Sequence, residues 1–112
     1  MPGITHFLFI AVENYHNEKF FAKVSFAEND ASDVKQCFER LGYDNIVYLA
    51  GNHATKTAIE QNLKKIVLSA QADERIIIYF AGHGFSIAGR NLIAPVDAIP
   101  NNEDSCISTE YI

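Results

Sequence analysis

A histidine between two glycines, Ala81-Gly82-His83-Gly84, follows directly on a strongly β-favouring apolar stretch, Ile76-Ile77-Ile78-Tyr79-Phe80. Imidazole is the side chain that gives and takes protons near neutral pH. Glycine on either side leaves it sterically open, and the second glycine lets a reacting carbonyl come close to a backbone N–H. A flexible turn with a solvent-exposed histidine fits the same three residues. Position favours chemistry, because ligands gather at the carboxyl ends of strands in parallel α/β sheets. A nucleophile for that histidine is harder to find. Of the two cysteines, Cys37 falls on the apolar face of a predicted helix and reads as packing. Cys106 lies in the polar segment Glu103-Asp104-Ser105-Cys106, with no strand before it to present it to His83. His6, His16 and His53 are not at metal-ligand spacing with each other or with either cysteine, so no metal site is expected. Glu28, Asp30 and Asp33 crowd the start of a helix, where carboxylates complement the helix dipole. No glycine-rich phosphate loop follows the first apolar run; Glu13-Asn14-Tyr15 stands there instead, against nucleotide binding.

The elements that must position His83 follow from hydrophobic periodicity. His6-Phe7-Leu8-Phe9-Ile10-Ala11-Val12 is apolar without alternation, the pattern of a strand buried on both faces of a parallel sheet. After a polar loop, Ser25-Phe26-Ala27-Glu28 has the form of a capping box. Val34, Cys37, Phe38 and Leu41 then recur at helical spacing, and Gly42 stands where a left-handed residue closes a helix. Ile46-Val47-Tyr48-Leu49 makes a second strand. Thr55 caps a second helix with an apolar face of Ile59, Leu63, Ile66, Val67 and Ala70. Arg75 to Phe80 is the third strand and reads as the most buried. Strand–helix–strand–helix–strand predicts a right-handed parallel α/β unit. Beyond Gly82 the pattern gives a glycine-containing loop, a short strand at Asn91-Leu92-Ile93-Ala94, a turn through Pro95 and Pro100, and a helix capped by Ser105 or Ser108. Nothing after Ile76–Phe80 is long and apolar enough to pair with its far edge, and an apolar strand with a free edge invites a partner.

Composition narrows the class of function. The 112 residues allow one domain, and 48% hydrophobic with 21% charged residues is globular composition. A net charge of −5 gives no basic surface for nucleic acid or an anionic membrane. Two cysteines are too few for a disulfide framework, and free thiols point to a reducing, cytoplasmic setting. The run Phe7 to Val12 is too short to span a bilayer and has no basic flank of a signal peptide.

Tyr79-Phe80-Ala81-Gly82-His83-Gly84-Phe85, followed by Asn91-Leu92-Ile93-Ala94-Pro95-Val96-Asp97-Ala98, resembles the caspase-fold cysteine peptidases, closest to their paracaspase and metacaspase branch with the bacterial caspase-like proteins. The resemblance extends upstream, in order, through Ile10-Ala11-Val12-Glu13-Asn14-Tyr15, Ala27-Glu28-Asn29-Asp30-Ala31, Leu41-Gly42-Tyr43 and Ala54-Thr55-Lys56. It implies a three-layer α/β fold with a mostly parallel central sheet, of which residues 1–112 supply the first three core strands and two helices. His83 matches the catalytic histidine and Gly84 the glycine whose N–H helps bind the tetrahedral oxyanion. Asp30 matches the acidic residue that holds a substrate Arg or Lys in paracaspases and metacaspases, although Asn29 or Asp30 also fits a helix cap. True caspases place arginines in that pocket, and no arginine precedes Arg40. A recessed carboxylate accepts a guanidinium fork and rejects an anionic side chain. Some metacaspase-like enzymes need calcium; no cofactor is otherwise implied.

The nucleophilic cysteine of caspase-type enzymes lies about 50 residues after the histidine, whereas Cys106 is 23 residues after His83. The expectation is therefore a p20-like portion, truncated before the strand that carries the cysteine. The leading function is a cysteine endopeptidase cleaving protein or peptide substrates after Arg or Lys. Its nucleophile comes from beyond residue 112, on the remainder of the protein or a second chain paired with the 76–80 strand. The alternative is a non-catalytic caspase-like module that uses that edge for protein–protein interaction, and a generic doubly wound ligand-binding domain stands third.

Overall fold

The computed structural model describes residues 4–87 and 89–109. Strands β1 (Thr5–Ala11), β2 (Ile46–Ala50) and β3 (Arg75–Ala81) alternate with helices α1 (Ala27–Arg40) and α2 (Lys56–Ser69). The three strands form one parallel sheet in the order β2-β1-β3, with Phe9 opposite both Tyr48 and Tyr79. The chain steps one way from β1 to β2, then back across β1 to β3. With right-handed crossovers, that reversal puts the two helices on opposite faces. The side chains of β1 divide accordingly. Phe7 and Phe9 pack at tilted angles against Phe38 of α1, whereas Leu8, Ile10 and, just past the strand, Val12 join Ile59, Leu63 and Ile66 of α2 in one core cluster. The parallel, three-layer α/β architecture expected from the sequence is present.

Helix ends follow local chemistry. The Thr55 side chain accepts from the Ala58 N–H, and the Asp97 carboxylate accepts from the Lys56 N–H at 3.0 Å, so two of the orphan donors that open α2 are satisfied. Gly42, at φ 95°, closes α1. Its N–H bonds to Glu39 O and that of Tyr43 to Phe38 O, the paired pattern of a Schellman motif. The Ser25 capping box does not form. Phe26 is the N-cap residue, at φ 68° and without a side-chain cap bond, and the Glu13 carboxylate accepts from the Glu28 N–H instead.

Several burial expectations need correction. β1, not β3, is the most buried strand: Phe7 to Ala11 are at most 1% exposed, while Ile76 and Ile77 are each 38% exposed. β3 is an edge strand, and among the described residues nothing pairs with its outer side. Cys37 is exposed, because the inward stripe of α1 runs through Ala27, Ala31, Val34 and Phe38 and leaves position 37 on its flank. Val67 is likewise exposed.

After β3 come two more strands, β4 (Gly84–Ile87) and β5 (Arg90–Ile93), a single 3-10 turn at Glu103–Ser105 and a short β6 (Ile107–Ser108). They form a second, antiparallel sheet ordered β4-β5-β6. The segment read as a loop from Gly84 is thus a strand. Its two glycine-flanked ends hid four residues that pair well once β5 is beside them. Ser105 caps no helix; its hydroxyl accepts from the Ile99 N–H at 2.8 Å inside the turn. Ser108 lies in β6, and the residues from 110 onward that a helix after it would use are outside the described residues. No helix among them is long and apolar enough to cross a membrane.

Leu8 is fully buried between sheet and α2, so Leu8→Ala should lower unfolding free energy by about 2–5 kcal/mol. Thr55→Ala should cost about 1 kcal/mol through the lost cap. Denaturant unfolding of the two variants measures both.

Candidate active site

The carboxyl ends of β1 and β3 carry the loops that meet around His83. The Val12 N–H donates to Ala81 O at 2.8 Å, which ties the exits of the two strands together. His83 sits between β3 and β4, and the Ala94 N–H donates to its carbonyl at 2.9 Å. That bond fixes more than the histidine. Gly84 stands opposite Ile93, and a bond from residue 94 to residue 83 makes 84–93 a non-hydrogen-bonded pair. In a trans peptide the N–H points opposite to the C=O. With His83 C=O aimed at β5, the Gly84 N–H is aimed away from it, outside the ladder. Gly84 is also exposed. It therefore presents an outward amide next to His83, the geometry an oxyanion donor requires.

The imidazole is held by its Nε2, which lies 2.7 Å from the carbonyl oxygen of Ala22. A carbonyl only accepts, so Nε2 carries the proton and Nδ1 is left as the basic ring nitrogen. Aromatic rings set the rest of its orientation: Tyr15 with centroids 5.2 Å away, Phe21 at 5.9 Å, and Phe85 nearly parallel at 6.5 Å. The ring remains half-buried. Its partner is a neutral oxygen and not a carboxylate.

Beneath the histidine lies Tyr15, only 4% exposed. Its hydroxyl accepts from the His83 N–H at 2.8 Å and donates to Ala94 O at 2.9 Å. Burial pushes its phenol up to about 12, so it stays protonated across the neutral range. Gly82 makes room for it: a Cβ there would lie 2.7 Å from Tyr15 Oη and 2.8 Å from Cζ of Phe80. The first glycine of Gly-His-Gly is thus favoured by close packing, whereas the backbone at the second leaves room for a side chain.

Asp30 is exposed in the first turn of α1. Helix N-termini in a parallel α/β unit stand at the carboxyl edge of the sheet, so Asp30 and His83 share that edge. The loop that delivers Asp30 is the one that offers the Ala22 carbonyl to His83. Neither described cysteine has the environment of a nucleophile. Cys37 is in the last turn of α1, about 15 Å along the helix from its N-terminus. Cys106 is half-buried between the 3-10 turn and β6, where burial raises its thiol above the ordinary value. A raised thiol opposes the thiolate form that attacks carbonyls. Cys106 instead lines an apolar cavity of about 270 Å³ with Phe20, Phe21, Phe85, Leu92 and Ile99. Among the described residues, no three His, Cys, Asp or Glu come together as a metal site.

Sequence reading missed Tyr15 and Ala22. Tyr15 belongs to the motif-bearing stretch Ile10–Tyr15, but nothing in its type says which backbone groups it bridges. Ala22 acts through a main-chain oxygen, for which side-chain identity carries no signal. Residues 5–110 match a family model described as the caspase domain, while no curated protein matches the chain.

The glycine geometry separates two otherwise similar substitutions. Gly82→Ala should destabilise by about 1–3 kcal/mol through overpacking. Gly84→Ala, whose Cβ would meet only Leu92 O at 3.5 Å, should stay within about 0.5 kcal/mol. Urea unfolding of the two variants compares them directly.

Proposed function

The chain belongs to the caspase-domain family, and from that membership and the His83 geometry we propose that it forms the histidine-bearing part of a cysteine endopeptidase cleaving after Arg or Lys, in the manner of the paracaspase and metacaspase branch. The observation that carries the reading is the bond from Nε2 of His83 to the Ala22 carbonyl. It leaves Nδ1 to take the proton of a thiol. The thiolate sulfur attacks the scissile carbonyl carbon, the C=O electrons move onto oxygen, and the Gly84 N–H receives the oxyanion. Collapse of that intermediate breaks the C–N bond as His83 Nδ1–H protonates the departing amine. Water then hydrolyses the thioester. The chemistry is that of thiol and imidazole and calls on no cofactor.

The nucleophile is assigned to a segment outside residues 1–112. The apolar outer edge of β3, with Ile76 and Ile77 partly exposed, suits a further strand from the same protein or a second chain. A strand added there would end beside His83, where a cysteine at its carboxyl end could meet Nδ1. Asp30 is assigned to the substrate's basic side chain, an exposed carboxylate at the same edge of the sheet. Free thiols at Cys37 and Cys106 suit a reducing cytoplasmic setting.

Peptide cleavage by the full-length protein that carries this chain tests the reading. Arg- and Lys-containing peptides should be cut and Asp-containing ones spared. His83→Ala should lower kcat by about a hundredfold to ten-thousandfold. Asp30→Asn should raise KM for an Arg peptide about tenfold or more, as loss of a charge-assisted bond requires. Cleavage after Asp, or an Asp30→Asn variant with unchanged KM, would overturn the basic specificity. A full-length protein with no cysteine opposed to His83 would leave the interaction-module alternative.

A further inference from the structure

Tyr15 packs its ring against the imidazole of His83 and grips the main chain of the same residue with its hydroxyl. Both main-chain polar groups of the histidine are taken: the N–H by Tyr15 Oη at 2.8 Å and the C=O by the Ala94 N–H at 2.9 Å. The Tyr15 hydroxyl donates a hydrogen bond to Ala94 O at 2.9 Å, so His83 and Ala94 are bridged twice, once directly and once through the phenol. The ring tip of His83 is held by Ala22, which belongs to the same β1–α1 loop as Tyr15. One loop therefore holds the backbone and the imidazole of a single residue. Rotation of either peptide plane at His83 would break one of these bonds.

We propose that Tyr15 is a positioning residue for the histidine: its hydroxyl fixes the His83 backbone so that the imidazole meets the Ala22 carbonyl and the neighbouring Gly84 N–H faces outward. The inference rests on the peptidase reading for its consequence in catalysis, though not for its geometry. A core role for the ring alone does not account for the hydroxyl. A buried phenol oxygen costs desolvation unless it is bonded, and phenylalanine would fill the same space beside Phe21, its stacked neighbour at 5.1 Å. What phenylalanine would lose is the partner of the His83 N–H and of Ala94 O, the two main-chain groups that the hydroxyl joins. Gly82 supports the same conclusion, since any side chain there would push the hydroxyl off its bridge. Burial holds the phenol protonated across the neutral range, so its donor to Ala94 O is kept there.

The test is Tyr15→Phe in the full-length protein, beside Ile59→Val as a control that lowers stability from the α2 core without touching the histidine. Nitrogen-15 shifts of the His83 ring report its tautomer. The unmutated protein should show the Nε2–H form alone, and Tyr15→Phe a mixture of both tautomers. With an Arg peptide, kcat should fall about tenfold to a hundredfold in Tyr15→Phe while KM stays within about twofold, as displacement of a reacting group requires. Ile59→Val should leave both readouts as they were. Ring shifts identical to the unmutated protein, or a loss of kcat no greater than in Ile59→Val, would overturn the proposal. If the unmutated protein cleaves no peptide, the peptidase reading falls and the ring shifts alone decide the role of Tyr15. If Tyr15→Phe does not fold, the unmutated protein decides. Its Tyr15 hydroxyl proton should be protected from exchange and show a cross-peak to the His83 amide, and absence of that signal would overturn the proposal.

Discussion

Phe7 through Val12 are taken out of water on both faces of one strand at once, and the other elements are arranged around that demand. A strand apolar on both sides needs a cover on each, which here means α1 over Phe7 and Phe9 and α2 over Leu8, Ile10 and Val12. Each fully buried side chain of this size is worth about 1.5–3 kcal/mol, so exposing either face would forfeit several such contributions together. Two helices on opposite faces require the chain to reverse direction across β1, and this puts β2 and β3 on either side of it. The parallel arrangement then sends the loops after β1 and β3 to the same edge. Burial of β1 thus decides where His83 can be, before any residue near it is considered.

The β1–α1 loop converts that placement into a site. Glu13 anchors it by two routes, its carbonyl accepting from Val24 N–H and its carboxylate from Glu28 N–H at the start of α1. Between these anchors the loop is drawn in over the hairpin, with Phe21 buried against Tyr15 and Phe85. The Ala22 carbonyl is consequently held by the loop's own closure, not by a regular element. A loop that supplies one main-chain oxygen has to be fixed by side chains elsewhere in it, and the buried Phe21 and Tyr15 serve that purpose. Loops carry function when a rigid scaffold positions them, and here the scaffold is the core cluster under the α2 face of the sheet.

Much of this was legible in the sequence, for reasons that also mark where legibility ended. Continuous apolar runs and helical spacing gave the parallel α/β unit, and Thr55 and Gly42 marked helix ends because capping needs only local chemistry. His83 stood out by its flanking glycines and by its place after a strand. What could not be read were relations between distant residues. Ile76–Phe80 is as apolar as β1, and only strand order distinguishes a centre from an edge. Cys37 and Val67 fit a helical stripe by spacing, but the width of the buried stripe depends on what covers it. Ser25 had the right type for a cap, yet Phe26 takes the position and the Glu13 carboxylate, from the far end of the same loop, accepts from the Glu28 N–H. Tyr15 and Ala22 act through backbone contacts many residues away, which no local pattern encodes.

The apolar edge of β3 and the position of His83 are one problem in physical terms. Ile76 and Ile77 are partly exposed on the outer strand of a sheet whose composition is that of an interior strand. The histidine at the end of that strand has a basic Nδ1 but, among the described cysteines, no thiol in an environment that favours thiolate. Cys106 is turned toward an apolar cavity, and its thiol is raised by burial. A strand laid along β3 would cover the isoleucines, and the same strand would end at the carboxyl edge, beside His83. An extension that satisfied the hydrophobic edge would therefore bring its last residue beside His83, where the proposed peptidase chemistry places the nucleophile. Neither feature requires the other on chemical grounds. Their coincidence on a single strand is why completing the sheet and completing the active site would be a single event.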